Sequence, residues 1–155
     1  MKEIKKVLLL VIFLTGLSST INSQVRKPHV GNIGFACDDT GEASWAVKRV
    51  YKLIKKSDFK SIATLINSRD TANQLLGVLL LEILQETNQI ELTEEQERKI
   101  LKRYSSEELV EVCEGCTYFE KVKLKKLLNK KEPHRMKKEA ISLLKMWLNK
   151  TKLND

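Results

Sequence analysis

Residues 105–123 read SSEELVEVCEGCTYFEKVK, and the fold class turns on whether they coil or extend. Two capping-box patterns lie inside them. Ser105-x-x-Glu108 precedes "LVEV", and Thr117-x-x-Glu120 precedes "KVKLKKLLNKK". In such a box the hydroxyl accepts from the backbone N–H three residues on, while the later side chain reaches back. "ELVEV" (108–112) is the one strand-like piece of the chain, and the boxes favour helix over it.

The rest of the chain reads the same way. Thr93-x-x-Gln96 opens a helix through "RKILKRY". In "EASWAVKRVYKLIKK" (42–56), Ala46, Val47, Val50, Tyr51 and Ile54 share one helical face, with Asp39 or Thr40 as cap. A short helix capped by Ser57 or Asp58 carries Phe59, Ile62, Ala63 and Ile66. After the turn "NSRD" (67–70), Asp70 or Thr71 caps "ANQLLGVLLLEILQE" (72–86), which is apolar nearly all round and therefore central. The last helix, 133–150, has Pro133 in its first turn and Met136, Ala140, Leu144, Trp147 and Leu148 as its stripe. The expectation is an all-α fold of five to seven helices in antiparallel hairpins, either HEAT-like or an irregular α-bundle.

The stretch 57–85 resembles a HEAT-type helical hairpin, although no repeat of 30–45 residues recurs elsewhere. The layout as a whole is similar to small, uncharacterised secreted bacterial proteins. They share a signal peptide, one early cysteine before a helix, and a late C-x-G-C beside "TYFEK" (117–121). That resemblance implies export but no catalytic residue.

Lys2, Lys5 and Lys6, the apolar run "VLLLVIFLTGL" (7–17) and the polar "SSTINSQ" (18–24) have the order of a signal peptide, with cleavage expected after Ser23. Residues 24–40 read as an irregular segment, 41–150 as a single helical domain and 151–155 as a tail. The apolar run is shorter than the roughly 20 residues a spanning helix needs. "LLGVLLLEIL" (75–84) is short and broken by Glu82, so no span is expected in the mature chain. The expected location is outside the cytoplasm: periplasm, cell surface or medium. The full chain of 155 residues carries a net charge of +8, and its expected mature form carries 25 basic and 19 acidic side chains, or +6.

Export bears on Cys37, Cys113 and Cys116, because secreted proteins form and keep disulfides. Three cysteines allow one intramolecular bridge, and Cys37 to Cys113 or Cys116 would tie the N-terminal segment to the body. A redox couple at Cys113 and Cys116 needs a depressed thiol pKa, which Glu111, Glu114 and Glu120 oppose. A zinc site would have to combine the three cysteines with His29 or His134, without matched spacing. The staple is the favoured reading, and the thiol-active or metal-binding protein is the alternative.

Charge is segregated along the chain. Residues 82–120 carry 11 acidic and 4 basic side chains, 121–152 carry 2 and 12, and 48–60 carry 6 basic against one Asp. Basic helix faces of this kind suit a protein or an anionic surface as partner. Helices that begin acidic and end basic also complement the helix dipole without any ligand. No aromatic residue interleaves the lysines as a nucleic-acid stacking platform requires, and export argues against that role. No glycine-rich phosphate loop and no Ser–His–Asp set is evident, so neither enzymatic activity nor a cofactor is expected. The expected role is an interaction or scaffold module, with oligomeric state left open.

Overall fold

The computed structural model describes residues 29–37, 39–115 and 117–152, the side chain of residue 152 aside. The expected signal peptide at 1–23, Cys116 and the last three residues of the tail lie outside them. Six helices are described: α1 (Trp45–Lys55), α2 (Phe59–Thr64), α3 (Thr71–Glu86), α4 (Glu94–Tyr104), α5 (Leu124–Leu128) and α6 (Arg135–Lys152). With them stand three strands, β1 (Asn32–Ile33), β2 (Leu109–Glu114) and β3 (Tyr118–Lys123), in the order β1-β2-β3. The chain is mixed α/β, which corrects the all-α expectation. The helical hairpin at 57–85 forms, but it packs into a fold with a sheet, so neither a HEAT-like stack nor an irregular α-bundle describes it.

The deciding stretch extends, and its two capping boxes do not form. Ser105 ends α4 instead of starting a new helix, and its hydroxyl donates back to the Lys102 carbonyl at 3.1 Å. The Glu108 N–H is taken by the Ser106 hydroxyl at 3.2 Å. From Leu109 the side chains alternate, so Val110 and Val112 point into the core on either side of Glu111. Val110 lies opposite the buried Val122 of β3, and β-branched pairs of this kind suit a pleated, half-buried surface. Glu114 faces Tyr118 at the end of the ladder, and Gly115 opens the turn there at φ +64°, a conformation that glycine adopts freely. Thr117 is part of that turn rather than a helix cap, and Glu120 lies within β3.

The segment expected to be irregular supplies β1, which runs parallel to β2 with Asn32 beside Glu111 and Ile33 beside Val112. Parallel strands need a long crossover, and helices α1 to α4 provide it. The centre of the fold is α3, with 13 of its 16 residues buried, as its all-round apolar sequence requires. Asp58 and Asp70 cap α2 and α3 by accepting from Ser61 and Asn73 at 3.0 and 2.9 Å. Thr93 and Gln96 form a complete capping box on α4. The inner faces of α1 and α6 bury Ala46, Val47, Val50 and Ile54, and Met136, Ala140, Leu144 and Leu148. Tyr51 departs from the expected stripe and is exposed, in edge contact with the half-buried Trp147 at 5.1 Å. Among the described residues no helix is long and apolar enough to cross a membrane.

Candidate functional site

Cys37 and Cys113 form a disulfide pair, with Cα atoms 5.7 Å apart. The two cysteines are 76 residues apart in sequence, and constraining such a loop in the unfolded chain stabilises the fold by about 4 kcal/mol. Local pairing brings them together. The Cys37 N–H donates to the Glu42 carbonyl, and the Gly115 N–H donates to the Ala36 carbonyl at 2.9 Å, which lays 36–37 beside the end of β2. Gly34 passes directly beneath the bridge. A Cβ there would stand 2.6 Å from Cys113 Sγ and 2.5 Å from the Cys113 carbonyl oxygen, so only glycine fits. Both cysteines are buried, which makes the pair a staple between the N-terminal segment and the hairpin.

A concavity lies on another part of the molecule. A groove of about 830 Å³ opens between α4 and the β3–α5 segment with the loop that follows it. Ile100, Leu101 and Tyr104 of α4 give it an apolar floor, and Leu101 is exposed. Lys123, Lys125, Lys126, Lys130 and Lys131 form the rim, and Glu82 is the one carboxylate in the lining. Lys123 pairs with Glu107 at 2.9 Å, and Lys125 pairs with the same carboxylate. These two ammonium groups hold the Glu107 carboxyl below its ordinary range, Lys125 most strongly. Among the described residues Lys126 and Lys131 form no ion pair, so their charge is available to a ligand.

Beneath the rim, Tyr104 donates its hydroxyl to both oxygens of Glu82, at 2.8 and 2.9 Å. Burial and then the adjacent carboxylate push the phenol above its ordinary pKa. Lys130 binds Glu82 at 3.0 Å and lies over the Tyr104 ring at 5.1 Å. Lys137 is buried from the other side. Its ammonium donates to the carbonyls of Leu128 and Asn129 at 2.6 and 3.3 Å, the open end of α5. A lysine there satisfies carbonyls that the helix leaves without partners. Burial lowers its pKa. Lys137 thereby fixes the end of α5, from which the loop carrying Lys130 and Lys131 departs.

The sequence showed the lysines but not the groove, and it missed Tyr104, Glu82 and Lys137. Lys137 had one readable signal: it adjoins Met136 at the head of the buried stripe, so helical spacing carries it part-way inward. The remaining candidates do not converge. His134 accepts from the Met136 N–H at 3.2 Å at the start of α6, while His29 makes backbone bonds to Arg69 and Thr71. Among the described residues no group of three His, Cys, Asp or Glu side chains could hold a metal ion. No protein-family model matches the chain, and neither a curated protein nor a solved structure matches it.

Proposed function

We infer that the chain is an exported, non-catalytic binding module, and that its groove takes an acidic amphipathic segment of a partner protein. The observation that carries this reading is the five-lysine rim over an apolar floor. Leu101, 69% exposed on a helix face, has the character of a contact residue waiting for an apolar partner. A helix with leucines on one side and glutamates on its flanks matches both layers of the groove. The volume lies in the range of ligand-binding clefts. Export is supported by the order of charged, apolar and polar residues at 1–24 and by the Cys37–Cys113 pair, since disulfides persist in oxidising compartments. A working thiol pair at 113 and 116 has less support, because Cys113 is buried and engaged with Cys37.

The test uses a fluorescent peptide with Leu and Glu at helical spacing and a control in which Lys replaces Glu. The acidic peptide binds and the basic one does not. Lys126→Glu with Lys131→Glu weakens binding about tenfold per charge reversed, since neither lysine has an internal ion pair to lose. Equal binding of both peptides, or an affinity untouched by the reversals, would contradict the reading.

A further inference from the structure

Helix α1 carries a second basic surface, and none of its residues lines the groove. Trp45, Lys48, Arg49, Lys52, Lys55 and Lys56 recur at spacings of three and four, so they form one continuous outer stripe, and all six are exposed. The opposite face is buried in the core. There is no acid within the helix, and among the described residues Lys48 is the one base of the stripe in an ion pair, with Glu42 ahead of it. Lys52 and Lys55 form no ion pair among the described residues. Like charges at these spacings repel one another, so the stripe opposes helix stability except at the C-terminal turn, where the dipole favours cations.

The aromatic residues set the chemistry of the partner. Trp45 is 66% exposed, with the Arg49 guanidinium 5.3 Å from its ring centroid. Tyr51 and Met146 are exposed beside the half-buried Trp147. Indole and phenol rings settle at the headgroup level of a bilayer, and lysines beside them bind anionic headgroups. The outer face of a helix is convex and presents its bases in a line, which suits a plane of charge better than a pocketed ligand. We propose that the α1 stripe docks the protein on an anionic phospholipid surface, with Trp45 entering the headgroup layer.

Trp147→Phe leaves Trp45 as the sole tryptophan, so its emission reports on the stripe directly. With vesicles of phosphatidylglycerol the emission shifts to the blue, and with phosphatidylcholine it stays in place. Flotation of the otherwise unaltered chain on the same vesicles covers the case in which Trp147→Phe fails to fold. Neutralising Lys52 and Lys55 to Gln lowers phosphatidylglycerol binding about fivefold per lysine. The apolar run at 7–17 is common to all variants, and phosphatidylcholine vesicles measure its contribution. The proposal is overturned if Trp45 emission is unmoved by phosphatidylglycerol, or if the Gln variants float as well as the parent. A shift with soluble dextran sulfate but none with vesicles overturns it as well, and assigns the stripe to a polysaccharide.

Discussion

Tyr104 shows how much one buried polar contact can hold in place. Its hydroxyl reaches both Glu82 oxygens, and its ring lies under Lys130 and Lys137, so it joins α3, α4, the loop after α5 and α6. A phenol whose folded pKa is raised contributes stability that is complete below the unfolded value of 10.0. Above that pH the unfolded chain releases the proton that the folded chain keeps, so stability falls as pH rises. Tyr104→Phe therefore costs about 1–2 kcal/mol at neutral pH, as expected for a hydrogen bond to a charged group that is partly solvated. Urea denaturation on either side of pH 10.0 checks this: the alkaline decline is shallower in the variant than in the parent. None of this was legible in "RKILKRY", because Glu82 lies 22 residues away and meets Tyr104 only through tertiary packing.

Helices are where the sequence spoke most plainly, and the hairpin is where it misled. The caps at Asp58, Asp70 and Thr93 and the burial of α3 all follow from local pattern. Thr93 and Ser105 both head a box by sequence, yet only Thr93 has an open N–H three residues on; Ser105 follows a completed helix and bonds backwards. Thr93→Ala accordingly costs about 1 kcal/mol, whereas Ser105→Ala stays within about 0.5 kcal/mol of the parent. Chemical denaturation of the two variants side by side measures the difference. The β2–β3 turn gives a second check. Gly115 has open space where a Cβ would stand, so Gly115→Ala pays only for the left-handed backbone, about 1–2 kcal/mol, and retains the same register. Val110 and Val112 were the available strand signal, but two apolar positions cannot outweigh two apparent capping boxes until Val122 and Ile33 are known to lie beside them. That pairing depends on contacts more than ten residues apart, and β1 is too short to announce itself.

The molecule has two basic surfaces, the lysine rim of the groove and the outer stripe of α1. The segregation of acid and base along the sequence foretold the lysine excess, but not that α4 would supply an apolar floor beneath it. The staple is equally a property of the whole, since it joins the segment before α1 to the strand that follows α4. It also decides between a binding module held together by an oxidised bridge and a thiol-active protein working through Cys113 and Cys116. The measurement that separates these is a peptide map of the protein made under oxidising conditions, alkylated and digested without reduction. A Cys37 peptide linked to a Cys113 peptide, with Cys116 alone alkylated, is the expected result. A Cys113–Cys116 link, or three alkylated thiols, would contradict the staple and return the chemistry to the C-x-x-C pair.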